Sequence, residues 1–379
     1  MTERAATADM PAFRRHVRAR ILRELELSAG ATRSELMRSL VLSRTALTRV
    51  LEPMFAAREI VEDDPDKSAT RVRGRPARML RLRTPPRTTL AVHIGHDSLV
   101  AAHVDELGDI QDSVASPTGV KHGFGACLVA IASASEDLAV RSEFSIDRCI
   151  VILPTMVDPT GTAVMPVAAQ ELMPTWIGRA QRDRIARAVG APTWFENDGR
   201  LGALGEARFG NGKEAHTMLY VAVGGHGIGG GLLIGRELHK GAGFAGEISH
   251  VNVRASGELC PCGRRGCLAA EVRAATQRLT DLRDSARERD HGARAELAHD
   301  IVRDIGNSVA GIANVTHPDT IVIADRLPEG LIDDLVAAVR AVVRERSHPE
   351  IASAMNIVDA TAPDNAVRAA GILDPSRSG

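Results

Sequence analysis

Residues 90–105 read LAVHIGHDSLVAAHVD. An apolar strand, LAVHI, runs into Gly95, and a second apolar run, LVAAHV, returns to Asp105. Strand, tight loop and returning strand are the opening hairpin of a nucleotide-binding α/β domain, with the loop where a phosphate sits. A working phosphate loop needs small residues, so that phosphate reaches backbone amides, and a hydroxyl. The tip here is His93-Ile94-Gly95-His96-Asp97. The apolar runs set the fold, and the tip argues against the chemistry.

The chain around this hairpin has 379 residues and 40.4 kDa, too long for one typical core, so two or three domains are expected. Apolar residues make up 44% but aromatics only 3%, so aliphatic packing must build the cores. The first residues, MTERAATADM, lack the apolar centre of a signal peptide, and no run approaches the length of a membrane span. A cytoplasmic protein with no membrane partner is expected. The net charge of −1 hides a split. Residues 1–83 hold 18 Lys and Arg against 11 Asp and Glu, hence +7, which leaves −8 for the rest. A basic head on an acidic body points to nucleic-acid binding by the head.

The head supports that reading. Val17, Ile21, Leu22 and Leu25 recur at helical spacing within residues 13–27. Thr32 and Glu35 form a capping box for a second helix, and after the turn Val41-Leu42, Ser43 can cap a third. Pro53 lies inside the third run, so that helix is expected to kink or break near Glu52. IVEDD (60–64) and RMLRLR (78–83) then alternate like two strands around a loop containing RVRGRPAR. Three short helices and a basic hairpin make a winged helix-turn-helix. Its third helix would present Ser43, Arg44, Thr45, Thr48 and Arg49 to the major groove of double-stranded operator DNA. Arg71, Arg73 and Arg75 on the wing would meet phosphates or the minor groove. TPPRTT (84–89) reads as a stiff linker, giving a DNA-binding domain over 1–83 and a second domain over 90–379.

Cys127 and Cys149 are isolated in apolar runs and read as core thiols, whereas Cys260, Cys262 and Cys267 lie close together. With His250 they give H-x9-C-x-C-x4-C, and Gly263 and Gly266 permit the turns between. Three thiolates and an imidazole fill a tetrahedral zinc site with no open position, which makes the expected Zn2+ structural. A ligand His keeps its other ring nitrogen for donation. His250 beside Glu247 is therefore suited to hold a polyol.

Together these pieces resemble the ROK family of bacterial sugar kinases and sugar-responsive repressors. The resemblance rests on GEISH with CPCGRRGC, on FENDGRLGALGEARFGNG (195–212), on VAVGGHGIGGGLLIGRELHKGAGFAGE (221–247), and on HPDTIVIADRL and NAVRAAGIL near the C-terminus. It implies an α/β chain: a winged helix-turn-helix, then a two-lobed actin-like ATPase domain with its zinc loop at 247–271. A DNA-binding head is the arrangement of the family's repressors. The resemblance also implies that Asn197, Asp198, Gly243, Glu247 and His250 bind sugar, with Asp198 at the kinases' general-base position. The family usually places a sugar-contacting Glu where this chain has Ala269, and Glu271 is the candidate substitute.

The family's kinases carry Asp-Ile-Gly-Gly-Thr where this chain has His93 to Asp97. The acid that positions Mg²⁺-ATP has become His93, a phosphate-approach glycine His96, and the hydroxyl Asp97. That carboxylate would repel a triphosphate at ~4 Å by on the order of 1–4 kcal/mol. His226 replaces a Thr in the second loop, and Ala324 and Asp325 stand where paired glycines meet adenosine. No ATP is expected, and no catalysis. The sequence therefore reads as a sugar-responsive transcriptional regulator, most naturally a repressor of carbohydrate-utilisation genes, acting as a homodimer or dimer of dimers. An active hexose or N-acetylhexosamine kinase with a DNA-binding head is the alternative, kept by Asp198. Asp105, Glu106 and residues 278–310 offer surface either for a second copy or for a protein partner such as a transport component.

Overall fold

The computed structural model describes residues 30–56, 60–63, 78–82, 87–141, 144–164, 178–284, 291–361 and 364–374, together with Trp176 and scattered positions between Val17 and Ser28. The chain divides into two compact units, Met1–Pro85 and Pro86–Gly379.

In the first unit, Val17, Ile21 and Leu25 are buried and helical, as their spacing predicts. Strand β1 (Ala31–Thr32) leads into the helix Arg33–Leu40 through the expected capping box. Glu35 Oε2 accepts from the Thr32 backbone N–H at 2.7 Å, and the Glu35 N–H donates to Thr32 Oγ1 at 3.2 Å. The turn places Val41 in the left-handed region at φ 56°, and Leu42 N–H closes it on the Met37 carbonyl at 3.0 Å. Ser43 Oγ accepts from the Ala46 N–H at 3.2 Å and starts the helix Arg44–Ala56. That helix runs through Pro53 without the expected break. Proline removes one backbone bond, a cost of roughly 3 kcal/mol, but Leu51 and Met54 are each 1% exposed in the core, and their burial holds the last turn. Strands β2 (Ile60–Asp63) and β3 (Met79–Leu82) pair antiparallel, in the sheet order β1-β3-β2. The wing arginines Arg71, Arg73 and Arg75 lie outside the described residues.

The second unit holds two five-stranded sheets. The first contains β4 (Arg87–Ile94), β5 (Leu99–Val104), β6 (Ile110–Ser116), β7 (Ser145–Leu153) and β8 (Thr193–Asn197), in the order β6-β5-β4-β7-β8. The second contains β9 (Thr217–Gly224), β10 (Gly227–Ile234), β11 (Glu237–Leu238), β12 (Thr320–Arg326) and β13 (Asn356–Asp359), in the order β11-β10-β9-β12-β13. Each sheet starts with an antiparallel meander of three strands and adds two parallel strands beside the first. The same topology thus occurs twice, once in each lobe, with a meander hairpin at the start of each. Strand β4 begins at Arg87, inside the segment read as a linker, because Thr88 and Thr89 are buried and Thr89 Oγ1 accepts from Arg148 Nε at 3.0 Å.

Strand β4 is buried on both faces, as a central strand of a covered sheet must be. Leu90, Val92 and Ile94 face the helix Gly123–Arg141, and Ala91 packs in the cluster with the C-terminal helix Asn365–Ile372. Residues Val120–Arg141 are long and apolar enough to cross a membrane by length and composition, yet Phe124, Cys127, Ile131 and Leu138 from them are buried in the first lobe. Cys127 and Cys149 are buried core thiols as expected, pushed by burial up to about 11 and about 12.

The helix Asp198–Phe209 lies between the sheets on a row of glycines. A Cβ at Gly199 would stand 2.5 Å from the Gly230 carbonyl oxygen, one at Gly202 2.6 Å from the Tyr220 ring, and one at Gly205 2.3 Å from the Asn365 carbonyl oxygen. At the helix's far end the buried Glu206 accepts from Asn365 Nδ2 at 2.8 Å and from the backbone of Thr361 and Asn211 at 2.9 and 3.0 Å.

The capping box makes a checkable difference. Thr32→Ala is expected to lower unfolding stability by about 1 kcal/mol. Backbone and side-chain hydrogen bonds from Thr32 hold the Glu35 carboxyl below its usual range. Its contribution is therefore complete above the ordinary carboxylate pKa and is lost as pH falls through the lowered one. Chemical denaturation of both chains at neutral and acid pH reads it: the gap between them should narrow in acid.

Candidate functional site

Strand β8 ends at Asn197 and the glycine-lined helix starts at once, so the backbone fixes the polar pair at the junction. Asn197 Oδ1 accepts from the Arg200 N–H at 2.9 Å, an N-cap, and its Nδ2 donates to the Thr155 carbonyl at 2.9 Å. One amide hydrogen of Asn197 has no partner among the described residues. Asp198 Oδ1 accepts from the Gly199 N–H at 2.7 Å, and the positive helix end favours that carboxylate. Its charge acts on Glu247, His93 and Tyr220.

Glu247 precedes a 3-10 turn, Ile248–His250, and accepts from Ser249 Oγ at 3.2 Å. Burial pushes its carboxyl above the usual range, against the Ser249 hydrogen bond and the Arg200 cation, and Asp198 adds to the rise. A desolvated carboxylate of this kind gains from any hydroxyl that donates to it. Gly243 is small for a reason the sequence does not show: at φ 117° its Cβ would stand 2.6 Å from Pro159.

The part of the site that sequence reading missed is ionic. Glu196 and Arg200 are 3% and 4% exposed, and Arg200 Nη2 lies 2.6 Å from Glu196 Oε1. Lys240 Nζ meets the other oxygen at 2.9 Å. Arg200 also donates to the carbonyls of Gly243 at 2.7 Å and Val157 at 2.9 Å, tying the glycine-rich loop of the second lobe to the first. The signal available was a charged residue in each of three apolar or glycine-rich runs.

His250 and the three cysteines converge, with all four ligand atoms within 4.8 Å of one another. Cys262 and Cys267 Sγ are 3.6 Å apart, as are Cys260 Sγ and His250 Nδ1. A tetrahedral ion about 2.3 Å from each sulfur spaces two sulfurs by about 3.8 Å, so the donor set fits one. Gly263 and Gly266 take φ 85° and 72°, the turns anticipated for them. Glu271 does not reach the cleft. Its carboxylate accepts from the Glu258 N–H at 2.6 Å and pairs with Arg254 at 3.3 Å, because helix Leu268–Asp284 turns that side chain back over its own loop. Ala269 sits instead at van der Waals distance from the site of a Gly227 Cβ.

Side chains crowd the two hairpin loops that the family resemblance assigns to a nucleotide. The β4–β5 loop closes on itself, Gly95 N–H to Ser98 carbonyl at 2.8 Å, which consumes a loop amide. The His96 ring stacks on His226 with centroids 3.9 Å apart, and His226 Nε2 is 3.4 Å from Asp97 Oδ2. Burial holds His93 below its usual pKa; the Asp198 charge opposes the shift and the Arg326 cation adds to it. Arg326 donates to the Tyr220 hydroxyl at 3.0 Å. On the first unit, Ser43, Arg44, Thr45 and Arg49 are exposed and Thr48 is half-buried, on the face opposite the buried Leu47, Val50, Leu51 and Met54.

Residues 89–373 match the model of the ROK family. The chain is 35% identical over 167 residues to a putative xylose repressor of Caldicellulosiruptor sp. (strain Rt8B.4), covering 38% of this chain and 42% of that protein. It is 32% identical over 182 residues to a glucokinase of Streptomyces coelicolor, covering 47% of this chain and 54% of that one. The chain thus spans about half the length of the curated relatives it matches. A solved ROK family transcriptional regulator, a homologue of the E. coli MLC protein, superposes with a TM-score of 0.59 at 21% identity over 92% of both chains. That likeness supports the actin-like α/β fold.

Breaking a buried pair costs about 3–5 kcal/mol because the partner is left charged and dry. Glu196→Gln is expected to lower stability by that order, read by denaturant unfolding. A loss under 1 kcal/mol would mean that Arg200 and Lys240 do not depend on that carboxylate.

Proposed function

We propose that this chain, which belongs to the ROK family, is a cytoplasmic DNA-binding transcriptional regulator that senses a sugar without phosphorylating it. One contrast carries the reading: Asn197, Asp198, Glu247 and His250 keep hydroxyl-binding chemistry in the cleft, while imidazoles and charged side chains fill the nucleotide positions. Catalysis of phosphoryl transfer needs Mg²⁺ and triphosphate held in line. His96, Asp97 and His226 stand on that route.

In this reading the first unit is a winged helix-turn-helix. The exposed Ser43, Arg44, Thr45 and Arg49 and the half-buried Thr48 meet base edges, and Arg71, Arg73 and Arg75 meet phosphates or the minor groove. A homodimer places two such helices on a pseudo-palindromic operator. His250, Cys260, Cys262 and Cys267 hold a structural Zn2+, which supplies rigidity where His250 and Glu247 line the cleft. Repression of carbohydrate-utilisation genes follows the xylose repressors among its relatives.

Asp198 supports the second reading, a hexose kinase with a DNA-binding head, because a free carboxylate oxygen beside a sugar hydroxyl also serves as a general base. Gel shifts on the gene's upstream region with a panel of sugars, paired with a coupled ADP-release assay, separate the two. A sugar-reversed shift without ADP release supports the regulator; ADP release with hexose supports the kinase.

Three substitutions sharpen the test. Arg49→Ala is expected to weaken operator binding by about 1–3 kcal/mol with sugar binding unchanged, and Asp198→Ala to abolish the sugar response with DNA binding intact. Cys262→Ser is expected to lose the zinc, read as metal per chain; retention of a full equivalent would contradict the ligand set.

A further inference from the structure

The three residues that spoil the nucleotide site converge on one another. His96 and Asp97 sit at the tip of the β4–β5 hairpin, and His226 sits in the two-residue turn Gly225–His226 between β9 and β10. These are the equivalent hairpins of the two lobes, so the cluster spans the cleft at its topological midline. One ligand atom from each side chain can be chosen so that all lie within 4.8 Å of one another.

The distances favour coordination over an ordinary hydrogen bond. His226 Nε2 to Asp97 Oδ2 is 3.4 Å. A charge-assisted N–H···O bond would close to about 2.7–2.9 Å. Two ligands at about 2.0–2.1 Å from a tetrahedral ion stand about 3.4 Å apart. The two imidazoles stack at 29° with centroids 3.9 Å apart, so their nitrogen lone pairs run side by side, and one ring turns about its Cβ–Cγ bond for both to share an ion. Lys121 pairs with Asp97 through Oδ1, the oxygen that His226 does not face. Coordination through Oδ2 leaves that pair intact, and Lys121 then orients the ligand from behind. The nearby His122 uses its Nδ1 to accept from the Gly119 N–H at 3.0 Å.

We propose that His96, Asp97 and His226 form a second metal site, separate from the thiolate cluster, that binds a divalent transition ion and clamps the two lobes at the place of the lost nucleotide. Two imidazoles and one carboxylate suit Zn2+, Ni2+, Cu2+ or Co2+ rather than Mg2+ or Ca2+, which prefer all-oxygen sets. Three protein ligands leave at least one position for water. The proposal stands whether or not the cleft takes a sugar.

The test uses the zinc-replete full-length chain titrated with Co2+, followed by visible absorption and by metal per chain. The expected result is one Co2+ bound beyond the zinc, with ligand-field bands and no thiolate-to-cobalt charge transfer. His226→Ala and Asp97→Asn are each expected to lower that affinity by at least the roughly 10–100-fold that loss of even an outer partner costs. Both positions are on exposed hairpin tips, and zinc content should not change. Binding of Co2+ only with the thiolate signature would overturn the site. So would an extra Co2+ held equally well by both variants.

Discussion

The larger unit depends on a carboxylate held dry between two cations. Glu196, next to last in β8, has Arg200 on one oxygen and Lys240 on the other. Arg200 also donates through its Nη1 and Nη2 to carbonyls from both lobes, Gly243 and Val157. A buried ion pair contributes little net stability against an apolar replacement, but it tolerates no loss of a member. Its effect here is geometric. Asn197 and Asp198 follow Glu196 directly, and Glu247 lies a few residues beyond Gly243, so one charge network sets the spacing of the cleft walls.

The glycine row performs the complementary task. A helix with Cβ atoms at positions 199, 202 and 205 could not lie against β10, Tyr220 and the C-terminal helix. Close approach brings the N-terminal end of that helix, with its positive field, to the cleft and brings Glu206 to the backbone around Thr361. Packing and polar chemistry are therefore set by the same twelve-residue element.

The repeated sheet order explains why residues far apart in sequence meet at one place. Each lobe opens with a hairpin, and the two tips meet across the cleft. His96 and Asp97 come from one tip and His226 from the other, and they contact in the space between. Imidazoles stand at both tips beside the Asp97 carboxylate, so nitrogen and oxygen donors from the two hairpins meet there.

The sequence by itself determined the features that are local. The apolar runs of β4 and β5, the Thr32–Glu35 box, the Ser43 cap and the spacing of His250 and the three cysteines each span a few turns of chain, so side-chain type and spacing suffice to specify them. Pro53 shows where local rules stop: burial of Leu51 and Met54 kept its helix whole. Glu271 shows the same limit, since only the course of its helix turned the carboxylate away from the cleft. Tertiary structure alone decided the Glu196 network, the glycine row's partners and the meeting of His96 with His226. Those depend on contacts between segments distant in sequence, and no periodicity encodes which distant segments will close on each other.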